Sequence, residues 1–205
     1  EWAYDIAQLA DEGFLVVGGR DRYSQGSKNG LVLRTDKEGK LLWEKEFLEE
    51  GQANEIIYSI SNTNNGNYFI CSTANSLAEP GVYQPKIAKM DMEGNIDWQR
   101  SFAANGKSYH RFSAAGTEKG DIVLVGSSGR QVATGYDEDA FMVRMDDKGN
   151  IIWSFAYGTY DHDDWGWSVF ETAQNNLVFV GSTKSFGASL FDIYLVGTNA
   201  EGISQ

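Results

Sequence analysis

The stretch Met145-Asp-Asp-Lys-Gly-Asn-Ile-Ile-Trp153 decides how this chain is read, because it recurs upstream. Thr35-Asp-Lys-Glu-Gly-Lys-Leu-Leu-Trp43 and Met90-Asp-Met-Glu-Gly-Asn-Ile-Asp-Trp98 align with it without a gap, so Asp, Gly and Trp return 55 residues apart. A fourth copy, Thr198-Asn-Ala-Glu-Gly-Ile-Ser-Gln205, lacks one residue and stops where its Trp would fall. Self-similarity at a fixed period of this length marks a repeat architecture.

Working outward, the preceding segment repeats too. Asp11-Glu-Gly-Phe-Leu-Val-Val-Gly18 matches Asn65-Gly-Asn-Tyr-Phe-Ile-Cys-Ser72, Lys119-Gly-Asp-Ile-Val-Leu-Val-Gly126 and Asn175-Asn-Leu-Val-Phe-Val-Gly181. Before each lies a short alternating run: Tyr4-Asp-Ile-Ala, Tyr58-Ser-Ile-Ser, Phe112-Ser-Ala-Ala and Trp167-Ser-Val-Phe. Short β-branched and aromatic runs bounded by Gly, Asn and Asp are strand signals, and no apolar pattern of helical period persists. Each unit therefore reads as four strands, a to d, with the Trp on d. Four antiparallel strands repeated at this spacing predict an all-β chain of β-propeller blades, because one small sheet must stack on neighbours to bury its faces. The blade limits expected are 1–48, 49–103, 104–158 and an incomplete fourth, 159–205. The unfinished fourth copy reads as an excerpt of a larger propeller.

The most repeated residues have structural explanations. Asp36, Gly39, Asp91, Gly94, Asp146 and Gly149 carry turn chemistry, in which Asp caps its own backbone and Gly takes positive φ. A calcium loop needs further ligands and a distal Glu, which Asp146-Asp147-Lys148-Gly149 lacks. Trp43, Trp98 and Trp153, held in register, read as packing between adjacent sheets. Cys71 is the single cysteine and sits in an apolar strand, so it reads as a buried inert thiol.

The pattern Asp-x-x-Gly-(Lys/Asn)-x-x-Trp resembles the tryptophan-docking repeat of quinoprotein-like propellers. The fuller unit, closest in Tyr157-Gly-Thr-Tyr-Asp-His-Asp-Asp-Trp-Gly-Trp-Ser-Val169 with Val180-Gly-Ser-Thr183 and Phe191-Asp-Ile-Tyr-Leu195, resembles repeats of secreted and cell-surface proteins of bacteria and archaea. The resemblance implies a fold and an extracellular or cell-surface setting, not an activity. It carries over no cofactor: a pyrroloquinoline quinone site brings dedicated ligands, often beside a vicinal disulfide, which a lone Cys71 cannot form.

Seventeen basic residues against 29 acidic ones give a net charge of −12. That balance disfavours nucleic acid and anionic membrane surfaces as partners, since both recruit clustered Lys and Arg. No apolar stretch approaches the ~20 residues of a membrane span, so membrane insertion is not expected.

The a–b and c–d turns are short and alike, whereas the b–c and d–a connections are long and individual. Binding residues concentrate on variable loops of a rigid scaffold, which places the working face on the b–c/d–a side. The candidate ligand-binding residues there are Arg20, Arg22, Tyr23, Tyr83, Asp137, Asp161, His162, Asp163 and Trp165; no catalytic residue and no metal ligand is assigned. Arg20 and Arg22 suit a carboxylate or phosphate. Asp161, His162 and Asp163 beside Trp165 suit a sugar or a cation, or else form a solvated acidic turn over packed aromatics. The leading expectation is a non-catalytic binding or scaffold module of a secreted or surface-attached protein, with a protein, glycan or surface partner. One alternative is a carbohydrate-processing enzyme using a carboxylate pair among Asp137, Asp139, Asp161 and Asp163, which needs side chains ~5–9 Å apart across a cleft. The other is an architectural repeat in a filament or large assembly. Open propeller edges further invite self-association, two chains completing one ring.

Overall fold

The computed structural model of the chain describes residues 1–22, 27–47, 52–63, 66–76, 83–101, 108–132, 135–159, 162–187 and 190–204. Among them are strands and no helix, so no helix is long and apolar enough to cross a membrane. The chain divides into two compact units, Glu1–Ala103 and Ala104–Gln205. The division falls where the repeat ends its second copy.

In the first unit, β1 (Trp2–Gln8), β2 (Phe14–Arg22), β3 (Ser27–Thr35) and β4 (Leu41–Phe47) form one antiparallel meander. A second consists of β5 (Gln52–Asn62), β6 (Tyr68–Ser76), β7 (Tyr83–Met90) and β8 (Ile96–Ser101). One parallel bridge, Lys28 to Asn54, links the two. The second unit holds the four-stranded β9 (Ser108–Gly116), β10 (Ile122–Val132), β11 (Gly135–Met145) and β12 (Ile151–Tyr157). It ends in a three-stranded sheet of β13 (Asp164–Glu171), β14 (Leu177–Thr183) and β15 (Asp192–Thr198). These are β-propeller blades, each strand paired with its sequence neighbour.

Within each unit the two blades pack face to face, and the same repeat positions do it in both. In the first, Ala7, Leu15, Val17 and Val32 lie in one buried cluster with Ile60, Tyr68, Ile70 and Ala88. In the second, Val123, Val125, Ala140 and Met142 cluster with Val169, Leu177, Phe179 and Val196. Each Val, Leu, Ile, Phe or Met among them contributes about 1.5–3 kcal/mol of transfer free energy. Strands a carry a register shift at Tyr4, Tyr58 and Trp167, a β-bulge that turns this aromatic out of the regular alternation.

The Asp-x-x-Gly segments are tight turns. The Asp146 carboxylate accepts the backbone N–H groups of Lys148 (3.0 Å) and Asn150 (2.8 Å), and Gly149 takes φ of 80°. Asp36, Asp91 and, in the fourth copy, Asn199 repeat this geometry. Bonds from the Asn150 side chain first, and then its backbone, hold the Asp146 carboxyl below its ordinary value.

Trp43 and Trp153 pack against these turns. A methyl group on Gly94 would come within 2.8 Å of the Trp43 ring, and one on Gly202 within 2.9 Å of Trp153. The Trp153 indole N–H donates to the Ala200 carbonyl at 3.2 Å, and Arg144 donates to the same oxygen at 2.9 Å. Arg144, itself buried, also pairs with Asp121 at 2.9 Å, as Arg34 pairs with Asp11. A basic residue two positions before the turn Asp is thus a second inter-strand tie of the repeat.

The b–c connections are more ordered than their composition suggests. The segment 127–138, the b–c connection of the third copy, is a paired hairpin from Ser127 opposite Ala140 to Val132 opposite Gly135. Likewise Arg20 to Arg22 pair with Asn29 to Ser27, and Asn75 pairs with Tyr83. Polar side chains weaken the periodic signal of a strand, but ladder hydrogen bonds need only the backbone.

Candidate functional site

In the second unit, the loop-side ends of β11, β13 and β15 converge. They carry Glu138 and Asp139 (β11), Asp164 and Trp165 (β13), and the 184–191 connection into β15. Asp164 is wholly buried at the hub. Its carboxylate accepts the Ser185 hydroxyl at 2.6 Å, the Thr159 backbone N–H at 3.3 Å and the Thr183 hydroxyl. The Thr159 and Ser185 hydroxyls meet each other at 2.7 Å, closing the network. This carboxylate pins the β12–β13 connection to the β14–β15 connection.

A second carboxylate lies beside it. A methyl group on Gly158 would stand 2.2 Å from an Asp164 oxygen and 3.0 Å from an Asp139 oxygen. The two oxygens are therefore no further apart than those distances combined, at or below the ~5–5.5 Å of a retaining glycosidase pair. Only Gly leaves room there; its φ of 150° also disfavours any larger residue. Half-buried Asp139 is the more accessible member. Tyr194 senses both: burial first, then Asp164 and Asp139, push its phenol up to about 12. Tyr194 lines an open cavity of about 400 Å³ with Tyr157, Gly158 and Phe186, within the 300–1,000 Å³ of small-ligand pockets.

Aromatic rings flank this corner. Trp165 stacks on Phe191 with centroids 4.3 Å apart and meets Trp167 edge-on at 5.8 Å. Its indole N–H is held by Glu138 at 2.5 Å. Lys184 lies 4.5 Å over the Phe191 ring and pairs with Asp163 at 2.7 Å. Stacked rings beside carboxylates and a cavity match what a saccharide needs: apolar ring faces to cover and hydroxyls to bond. Among the described residues no group of three or more His, Cys, Asp or Glu is placed to hold a metal ion.

Of the residues expected from sequence, His162, Asp163 and Trp165 meet here. Exposed His162 lies 3.5 Å from the Thr159 hydroxyl. Asp137 is buried on β11, two residues before Asp139. Arg20 and Tyr83 lie in the first unit. The Arg20 guanidinium is held by Glu1 (2.5 Å), Glu44 (2.9 Å) and Glu46 (2.7 Å), which hold its proton far more tightly than usual, so the donors an anion would use are committed. Tyr83 is half-buried at the start of β7. Tyr23, Asp161 and the Arg22 side chain lie outside the described residues. Cys71 is buried, and burial first, then the Asp5 charge, raise its pKa strongly, leaving it an inert thiol.

Asp164, Ser185, Tyr194, Phe191 and Glu138 were not singled out by sequence. Asp164 did have a signal: it stands three residues before the strand-a aromatic Trp167, as Glu55 stands before Tyr58 and Glu1 before Tyr4. An acid opens strand a in three of the four blades.

No protein-family model matches the chain, and no curated protein matches it. Solved structures share its fold. A protein of unknown function from Dyadobacter fermentans superposes with a TM-score of 0.65 at 16% identity, over 97% of this chain and 60% of that one. The β-1,2-mannobiose phosphorylase of Listeria innocua, solved with β-1,2-mannobiose, gives 0.60 at 9% identity over 98% and 73% of the two chains. An endo-arabinase from Bacteroides thetaiotaomicron gives 0.56 at 12% identity over 97% and 74%. This chain thus spans less than two thirds of the first of these. Identities so low establish the β-propeller fold and nothing narrower.

Proposed function

We propose that this chain is a carbohydrate-active propeller segment of a secreted or surface-attached protein, binding a saccharide at the loop end of its second unit. The observation that carries the reading is the approach of the Asp139 and Asp164 carboxylates beside Gly158, next to the Trp165–Phe191 stack and the Tyr194 cavity. The carbohydrate-acting enzymes among its fold neighbours support the same class of ligand. Sugar rings would cover Trp165 and Phe191, while Asp139 accepts hydroxyl donors. In a processing reaction Asp139 is the carboxyl that meets substrate. Asp164, held by three donors, fixes the Gly158–Thr159 segment against which substrate would lie.

A second reading, non-catalytic glycan binding, is favoured by the complete burial of Asp164. Two-carboxylate chemistry requires the Gly158–Thr159 segment to open and expose it; binding does not. The test is calorimetric titration against a panel of oligosaccharides, mannosides and arabinosides included, with reducing-sugar or phosphorolysis assays alongside. One saccharide class should bind. Trp165→Ala should weaken it by up to ~10-fold, since ring stacking contributes about 0.5–1.5 kcal/mol. Turnover abolished by Asp139→Asn supports the enzyme; binding without turnover supports the second reading. Absence of binding across the panel contradicts both.

A further inference from the structure

We infer that Glu138 is a positioning residue of the proposed saccharide site: it fixes the plane of the Trp165 ring against which a sugar would lie. The inference rests on the saccharide reading. On β11 the alternation that buries Ala140 and Met142 against blade 4 turns Glu138, two residues earlier, to the same side. The hairpin ladder, with Glu138 opposite Gly129, holds its backbone there. Its half-buried carboxylate accepts the Trp165 indole N–H at 2.5 Å, a charge-assisted bond from one blade to the next.

The fold does not require this bond. Lys28 stands four residues before Val32 as Glu138 stands four before Met142, and Val32 lies opposite Val17 as Met142 lies opposite Val125. On the facing strand Ile56 is opposite Thr73, as Trp165 is opposite Ser182. Lys28 and Ile56 therefore hold the equivalent positions in the first unit. Neither can make the bond, since isoleucine has no N–H and lysine no acceptor. That junction nonetheless closes over Leu15, Val32, Ile60 and Ile70. The tie from Glu138 to Trp165 is an addition to the repeat, at the corner that also holds Asp139 and Asp164.

The bond has two consequences for a ligand. An indole has one polar atom, a donor, and Glu138 engages it, so Trp165 offers a sugar carbon surface only. That suits a saccharide that presents a C–H face. The bond also fixes the ring's rotation, with Phe191 stacked at 4.3 Å and Trp167 edge-on at 5.8 Å. Trp167 is tied in turn, its N–H donating to the Ser182 hydroxyl at 2.9 Å. A ring oriented before the sugar arrives lowers the entropy cost of binding.

The test is calorimetric titration of wild type, Glu138→Leu, Glu138→Gln, Trp165→Ala and the Glu138→Leu/Trp165→Ala double variant, with far-UV circular dichroism to check folding. The probe is the oligosaccharide of the mannoside and arabinoside panel that the wild type binds most tightly. Glu138→Leu should weaken binding ~3-fold or more, though no more than Trp165→Ala does, the cost of immobilising one side chain. Glu138→Gln should stay within ~2-fold of wild type, because its amide oxygen still accepts the N–H. In the Trp165→Ala background Glu138→Leu should cost nothing further, since the two act as one unit. The Trp165 indole N–H proton resonance should move upfield in Glu138→Leu and return in Glu138→Gln. A wild type that binds no saccharide overturns the saccharide reading and this inference with it. Wild-type binding that Glu138→Leu leaves unchanged overturns the inference and leaves that reading standing. A further loss in the Trp165→Ala background does the same, since Glu138 would then touch the sugar itself.

Discussion

The acid that opens strand a is placed alike in three blades and neutralised in three ways. At blade 1, Glu1 meets the Arg20 guanidinium, which Glu44 and Glu46 also share, near the surface. At blade 2, Glu55 is buried and pairs with buried Lys86 at 3.2 Å, with the Ser72 hydroxyl at 2.8 Å. At blade 4, Asp164 is buried among the hydroxyls of Thr183 and Ser185, and the structure places its carboxylate next to Asp139 rather than a cation. One repeat position therefore serves as a charge pair in the first unit and as a hydroxyl-held carboxylate beside a second carboxylate in the second unit.

Substitutions ranked by size separate these cases. The largest effect is expected at Lys86→Met, which strands the buried Glu55 carboxylate and should cost about 3–5 kcal/mol in urea unfolding. Asp164→Ala follows, at about 2–4 kcal/mol, because it leaves buried donors without an acceptor. If it costs nothing, Asp164 is not the clamp between the two connections. Arg20→Ala should cost about 1 kcal/mol or less, since its partners Glu1 and Glu44 are well exposed and screened by solvent. An inverted order would show that burial does not govern the three acids.

The smallest effect is a titration. Burial first, with Asp164 and Asp139, raises the Tyr194 phenol to about 12, above its ordinary 10. A raised value means that the folded state holds the proton more tightly, so the stabilisation is complete below pH 10 and is lost as pH rises toward 12. Tyr194→Phe should remove that alkaline loss, and Asp139→Asn should move the phenol's absorbance titration to lower pH. An unchanged midpoint in Asp139→Asn would mean that Asp139 does not face Tyr194.

The blade repeat was legible because physics forces its residues. Only Gly suits the positive φ of the Gly149 turn, only Asp or Asn caps it, and Trp153 needs the flat surface that Gly202 leaves. The strand limits of the b–c hairpins were not legible, since residues such as Arg130 and Gln131 pair through backbone groups that side chains do not report. The corner around Asp164 was half legible. Trp165 and Asp163 announced themselves as an aromatic beside acids. Asp164, at the end of Asp161-His-Asp-Asp164, looked like one more surface carboxylate until its hydroxyl partners Thr183 and Ser185, at the end of the neighbouring strand, were known. Tyr194 and Phe191 read as strand aromatics, and only the folding of β15 beside β14 brings them to the acids.

The most direct test of the proposed saccharide site is a crystal structure of the chain soaked with the oligosaccharide that binds most tightly in titration. A sugar ring over Trp165 and Phe191, with hydroxyls within hydrogen-bond distance of Asp139, is the predicted result. A sugar bound at the Arg20 end of the first unit, with the second unit's corner empty, would contradict it.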